Sequence, residues 1–346
     1  MTGCLGRDEK VGVLVTQLGT PDAPTPRALR RYLRQFLSDQ RVIEIPKLLW
    51  YPILYGPILA FRPRRSARLY KRVWMEGGSP LLVYTRRVTA HLAEQFPQLI
   101  FEVGMRYGNP SIESAIDKLI SAGATRILLV PLYAQYCAAT TGSTYDAVFA
   151  HLLTKRNVPT LRVLGPHYND PRYLNAQFEA IRDGLAALPS KPDLLILSYH
   201  GVPKRYIRSG DVYCCHCTET TELLRPRLEA LGVKVMQTFQ SRFGPEPWLT
   251  PYLDKTVEGL PAQGVKKIAV ACPGFSIDCL ETIDEIGTEA AEAFHESGGE
   301  WLKLIPCLND RPGWMDGFSS IVRDNLGDWL AGSSVGGVSS PLLASC

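Results

Sequence analysis

Leu194-Leu195-Ile196-Leu197-Ser198-Tyr199-His200-Gly201-Val202-Pro203 reads as a strand that carries polar chemistry at its end. Four consecutive apolar side chains are what a strand covered on both faces of a parallel sheet requires. Gly201 and Pro203 then turn the chain. Ligands of parallel α/β sheets bind beyond the carboxyl ends of the strands, and Ser198, Tyr199 and His200 fall there. Histidine exchanges a proton near neutral pH and ligates metals. Alone, such a histidine more often just hydrogen-bonds a loop. A second segment of the same design changes its weight.

That segment runs from Val265 to Glu281. Ile268 to Cys272 forms a second apolar run, Pro273-Gly274 breaks it, and Asp278 and Glu281 follow. A helix is predicted next, with Glu281, Glu285 and Glu289 at i, i+4 and i+8 on one face. An acidic row is usually a solvated face. Here no Lys or Arg interleaves to relieve the repulsion, whereas divalent cations or protons would.

The repeat of this design extends through the chain. A strand at Val11 to Val15 ends in Gln17-Leu18-Gly19-Thr20-Pro21, as Leu194 to Leu197 ends in His200-Gly201-Val202-Pro203. Phe101 to Arg106 leads into Arg106-Tyr107-Gly108-Asn109-Pro110 and a helix near Ile112 to Ile120. Its counterpart is Val233 to Gln240, then Arg242-Phe243-Gly244-Pro245-Glu246-Pro247 and a helix near Trp248 to Leu260. Strand–helix–strand units with short connections predict parallel sheets covered by helices. The expected architecture is α/β, two Rossmann-like lobes with four-stranded parallel sheets and a cleft between them. The expected boundaries are a polar arm at 1–10, lobes at 11–165 and 166–330, and a disordered Gly/Ser-rich tail at 331–346. The first strand is not followed by G-x-G-x-x-G, and G-x-x-x-x-G-K-[ST] is absent, which argues against NAD and nucleotide hydrolysis.

Composition narrows the class. The 346 residues are 45% hydrophobic and 21% charged, as in soluble globular enzymes. A net charge of +4, without a dense Lys/Arg tract, does not predict nucleic-acid binding. Nine cysteines and a polar start without a signal-peptide core predict reduced thiols in the cytoplasm. Ile45 to Phe61 is apolar and broken by Pro46, Pro52, Gly56 and Pro57, with Arg62, Arg64, Arg65, Arg68, Lys71 and Arg72 following. This 45–72 segment reads as a core helix with a basic extension, or as an apolar lip for a flat acidic ligand or a peripheral membrane contact.

From about Val11 to Leu330 the chain resembles the ferrochelatase family. The matching blocks occur in the family's order: Leu18-Gly19-Thr20-Pro21, Gly77-Gly78-Ser79-Pro80-Leu81, Arg106-Tyr107-Gly108, Pro131 to Tyr136, and Thr140-Thr141-Gly142-Ser143. They continue with Leu197 to Gly201, Phe239 to Gly244 with Pro247-Trp248-Leu249, and Cys272 to Phe275 with Asp278-Cys279-Leu280-Glu281-Thr282. The last block is similar to the Gram-negative branch. The resemblance implies the chelatase fold and an ATP-independent lyase that inserts ferrous iron, as substrate, into protoporphyrin IX. It implies that His200 and Glu281 contact the metal and handle pyrrole protons, with Glu285 and Glu289 as a relay. It places Leu18, Ser79, Arg106, Tyr107, Tyr136, Trp248, Phe275 and Asp278 around the macrocycle. Gln17 stands where the family usually has Asn, and Cys279 where animal members have His, which leaves Cys279 read as a packing thiol.

Some family members hold a 2Fe–2S cluster on four cysteines. Here Cys214, Cys215 and Cys217 are local, and a fourth ligand would have to be Cys346, Cys307, Cys4 or His216. A surface loop of free thiols is the favoured reading over a cluster or zinc. Coproporphyrin III as substrate and cobalt insertion remain open. A non-catalytic porphyrin carrier would not need the glutamate row, and a periplasmic-type binding protein would need a signal peptide.

Overall fold

The computed structural model describes residues 10–331, so most of the predicted arm and tail, with Cys4 and Cys346, lie outside the described residues. The first half comprises β1 (Lys10–Thr20), α1 (Pro26–Leu37), α2 (Lys47–Ile53), α3 (Leu59–Val73), α4 (Pro80–Gln95), β2 (Ile100–Gly108), α5 (Ile112–Ser121), β3 (Ala124–Pro131), α6 (Ser143–Leu152) and β4 (Thr160–Val163). The second comprises α7 (Pro171–Ala186), β5 (Leu194–His200), α8 (Lys204–Arg208), α9 (Tyr213–Glu229), β6 (Lys234–Gln240), α10 (Leu253–Gly259), β7 (Lys267–Ala271), α11 (Leu280–Ile283), α12 (Ala291–Glu296), β8 (Trp301–Leu304), α13 (Pro312–Leu326) and α14 (Asp328–Ala331).

The strands form two four-stranded sheets of one topology, β2-β1-β3-β4 and β6-β5-β7-β8, with every pairing parallel. In each, the chain leaves the founding strand to one side and then crosses to the other. The crevices at the carboxyl ends of β1 and β3, and of β5 and β7, are therefore the switch points at which such sheets bind ligands. Leu195, Ile196, Leu197 and Tyr199 of β5 are fully buried, as a central parallel strand demands.

A cap-then-proline signal starts three helices. Thr25, Ser79 and Asp170 each accept a backbone N–H with the side chain, and Pro26, Pro80 and Pro171 follow at the first helical position. The helix expected over Trp248 to Leu260 is only Leu253–Gly259, because Pro247 and Pro251 keep the preceding chain irregular. The last helix ends at Leu326, where Gly327 takes positive φ before α14. The 45–72 segment is not one helix: Pro52, Gly56 and Pro57 divide it into α2, a π-helical turn at Leu54–Ile58, and α3. Leu48 and Phe61, 87% and 75% exposed, leave it with an apolar outer face.

The largest apolar cluster joins the sheets. It holds Val13 and Val130 of the first sheet, Leu195 and Ala269 of the second, and Trp314 and Phe318 of α13. His167, between β4 and α7, is sealed into this region, against Tyr173 (5.7 Å, edge-on), Trp314 (6.3 Å, stacked) and Phe318 (5.6 Å). Neither ring nitrogen makes a full hydrogen bond within the described residues. Burial lowers its pKa to about 4, against a weaker upward pull from the Gly165 backbone.

The sign of the pH effect follows. The folded-state pKa lies below that of the unfolded chain, so acid favours unfolding. The stability is complete above about pH 6.5, falls as pH drops toward 4, and the loss ends there. We predict that His167→Phe reduces the difference in urea-unfolding free energy between pH 7 and pH 5 by about 2 kcal/mol. An equal pH dependence in both proteins would refute this assignment.

Candidate active site

His200 closes β5 at the switch point with β7 and is half-buried. Its Nδ1 lies 2.6 Å from the Gly201 carbonyl. A carbonyl only accepts, so Nδ1 donates, and in the neutral ring Nε2 keeps its lone pair. Gly201 must be glycine for this corner to close: a Cβ there would sit 2.8 Å from the Gln240 carbonyl and 3.2 Å from the Trp248 ring. The Phe275 ring stands 6.5 Å from the imidazole, just past β7. Tyr173 Oη donates to the Pro273 carbonyl and pins the turn that presents Phe275.

The acidic segment departs from the regular helix expected for it. It is a single turn, α11, then a π-helical stretch at Glu285–Ala290, then α12. The wider turn breaks the i, i+4, i+8 row into unequal environments. Glu281 and Glu285 are half-buried and Glu289 is exposed. Burial raises the Glu285 pKa, and the nearby Glu281 carboxylate adds to that rise. Hydrogen bonds from Ser241 and the proximity of His200 oppose it. His200, Glu281 and Glu285 thus share one electrostatic neighbourhood, as their spacing in sequence alone could not show.

The segment is gripped at several points. Asn309 Nδ2 donates to Asp278 at 2.6 Å, and Asn309 Oδ1 accepts the Asp278 N–H at 2.8 Å. Thr282 Oγ1 and the Cys307 N–H also reach the Asp278 carboxylate, at 2.8 and 3.2 Å. Arg72 on α3 pairs with the buried Asp284 at 2.9 Å. Ser241 gives Glu285 two hydrogen bonds, from N–H at 2.7 Å and Oγ at 2.6 Å. Ser241 (φ 64°) and Asn309 (φ 49°) are the non-glycine residues with left-handed backbone among those described. Such backbone persists where surrounding bonds impose it.

Several residues expected at the macrocycle are also bonded within the protein. Asp278, 5% exposed, is the anchor just described and offers no surface to a ligand. Ser79, 1% exposed, caps α4 through Oγ. Tyr107 is 1% exposed, and its hydroxyl donates to Asp39 at 2.8 Å. Arg106 contacts Asp39 at 2.5 Å through Nη2 and the Ser143 hydroxyl at 2.6 Å through Nε. Burial pushes the Asp39 carboxyl up, but Ser143, the Arg41 N–H, Tyr107 and Arg106 together hold it below the usual range. Asp39 was invisible in the sequence as the hub of this network; the following Arg41 and the distant Ser143 gave no spacing signal. Leu18 is half-buried at the end of β1, and Trp248 is 9% exposed beside Gly201.

The cysteine-rich stretch is not a loop but the first turns of α9. Cys214 is half-buried, Cys215 exposed and Cys217 buried, so successive thiols face different environments. Cys307 is buried beside Asp278. Among the described residues no group of three or more His, Cys, Asp or Glu is placed to hold a metal ion. Cys4 and Cys346, two of the fourth ligands a cluster could draw on, lie outside the described residues. His216 instead joins the halves: Nδ1 accepts the Tyr136 N–H at 3.1 Å, and its ring stacks on Tyr168 at 3.9 Å. Tyr136 is half-buried at that junction.

A family model described as Ferrochelatase matches residues 10–326. The ferrochelatase of Pectobacterium atrosepticum is 49% identical over 319 residues, covering 91% of this chain and 98% of the relative. The ferrochelatase of Yersinia enterocolitica is 47% identical over 320 residues, covering 92% and 99%. Among solved structures, SirB from Bacillus subtilis with Fe3+ aligns with a TM-score of 0.53 at 15% identity, covering 93% of this chain and 98% of that one. That likeness is one of fold.

Replacing Asn309 tests the grip on Asp278. Asn309→Ala is predicted to lower the unfolding free energy by about 2–3 kcal/mol, because it takes one donor from a buried carboxylate and leaves the Asp278 N–H without its acceptor. Asn309→Gly relieves the backbone but not that loss, so it is expected to be nearly as damaging in urea unfolding. Wild-type stability in the glycine variant would show that the bonds contribute little.

Proposed function

The chain belongs to the ferrochelatase family, and on that premise we propose that it inserts ferrous iron into protoporphyrin IX to form protohaem, the last step of haem synthesis, without ATP. The observation that carries this reading is the convergence of half-buried His200 with Glu281 and Glu285 beyond the end of β5.

Metallation exchanges two pyrrole N–H protons for one divalent ion in a flat ring whose lone pairs lie in its plane. Binding the ring bent exposes those lone pairs and lowers the barrier through strain and positioning. His200 Nε2, left unprotonated by the Gly201 contact, accepts a pyrrole proton or ligates the ion. Glu281 supplies a carboxylate oxygen as ligand or second acceptor, which suits ferrous iron. Glu285, whose raised pKa lets it take up a proton readily, passes it toward exposed Glu289. Leu18, Trp248 and Phe275 supply apolar wall. Arg106 binds a propionate through its remaining Nη, because Nε and the other Nη are engaged.

The face formed by Leu48, Leu49 and Phe61, with Arg64, Arg65 and Arg68 beside it, rests on an anionic membrane surface as a peripheral contact of a cytoplasmic enzyme. No helix among the described residues is long and apolar enough to cross a membrane.

Anaerobic mixing of protein, protoporphyrin IX and ferrous iron, followed by absorbance, tests the chemistry. His200→Ala is expected to lower metallation by about 100-fold or more while porphyrin fluorescence quenching still reports binding. Glu281→Gln is expected to slow turnover comparably with little change in melting temperature. Substantial activity in His200→Ala would overturn the assignment. For the membrane contact, Leu48→Ser with Phe61→Ser is expected to abolish cosedimentation with phosphatidylglycerol vesicles; undiminished binding would overturn it.

A further inference from the structure

Gln240 ends β6 directly opposite His200 in the β5–β6 register. Its side chain is 3% exposed and points inward, not to solvent. Oε1 accepts from Ser198 Oγ at 2.8 Å, two residues before His200, and from Cys272 Sγ at 3.7 Å, just past β7. Nε2 donates to the main-chain carbonyl of Glu281 at 3.0 Å. Its own carbonyl accepts the Gly201 N–H at 2.8 Å. One amide therefore bonds to the strand that carries His200, to the end of the neighbouring strand, and to the turn that carries Glu281.

The length of the side chain matters. A carboxamide is one of the few groups that accepts on one side and donates on the other, and here an O–H lies on one side and a C=O on the other. Both partners are fixed in regular structure, so the amide sets their separation. Ser241 extends the grip to the Glu285 carboxylate through the two bonds already described. Neither residue is solvent-facing enough to present a large surface to a ligand, so their contribution runs through what they hold.

We propose that Gln240 is a positioning residue for metal insertion: its amide fixes the distance between His200 and Glu281. This rests on the roles given to those two residues above. Catalysis by groups on two separate elements depends on their relative placement, and an error of about 1 Å costs up to roughly 100-fold in rate.

The test is a coupling measurement on the full-length protein with protoporphyrin IX and ferrous iron. Gln240→Met keeps length and burial but removes all three side-chain hydrogen bonds. It is expected to lower kcat by about 10-fold or more, with porphyrin Kd within about twofold of wild type. Ser198→Ala removes one end of the link and is expected to cost about threefold in kcat. The double variant is expected to be no slower than Gln240→Met alone, because both changes break the same link. A purely structural role would lower the melting temperature without this non-additivity. Wild-type kcat in Gln240→Met, or a double variant whose loss is the product of the two, overturns the proposal. If Gln240→Met does not fold, Ser198→Ala decides: unchanged kcat overturns it, reduced kcat at unchanged Kd supports it. Glu281→Gln is measured beside them. An inactive Glu281→Gln with a fully active Gln240→Met removes the positioning role and leaves the catalytic reading standing. A fully active Glu281→Gln removes both.

Discussion

Four carboxylates, Asp278, Glu281, Asp284 and Glu285, occupy eight consecutive positions at the inner edge of the second sheet, and the rest of the site is arranged to keep them there. Like charges brought together out of water repel and lose hydration, so each needs its own compensation. Asp278 draws on Asn309 and Thr282, Asp284 on Arg72 from the other half of the molecule, and Glu285 on Ser241. Glu281, the member read as reactive, has its backbone held instead, by Gln240. The bonding thus holds three of the carboxylates by their side chains and Glu281 through its backbone.

The opposite wall uses the same logic with the sign reversed. Asp39 is buried beneath Arg106, Tyr107 and Ser143, and its negative charge keeps the guanidinium in one place. A free arginine there would swing through many rotamers. Held by Asp39, it has lost that entropy in advance, which would strengthen the propionate contact proposed for it. Tyr107 and Ser143 donate to the same Asp39 oxygen as Arg106, and the Arg41 N–H donates to the other, so both oxygens are engaged on the protein side.

Much of the fold was legible because parallel strands advertise themselves. Leu194 to Leu197 and Ile268 to Cys272 are apolar without interruption, and each is followed by a proline or glycine turn. The two parallel sheets followed from those runs and their connections, whereas their strand order is read from the structure. His200 was legible from its place at a strand end. The π-helical turn at Glu285–Ala290 was not, because the sequence there fits a regular helix and the distortion comes from tertiary bonds to Ser241 and Arg72. Ser79, Tyr107 and Asp278 carry the family pattern yet are sealed in the interior, since a motif shows which residues are retained together and not which of them meets a ligand. Asp39 and Asn309 gave no signal, as each acts across more than a hundred residues or through a backbone angle that sequence does not display.

The two sheets share strand order, and Leu18-Gly19 near the end of β1 stands where β5 ends at His200 and passes to Gly201. A Cβ at Gly19 would lie 1.9 Å from the Tyr107 carbonyl, so that corner is as tightly closed as its counterpart at Gly201. Gly19 takes positive φ and Gly201 does not, and the residue before each differs, isobutyl at Leu18 and imidazole at His200. One strand-end position thus carries an inert side chain in one half of the molecule and a titratable one in the other, so equal topology does not give equal chemistry.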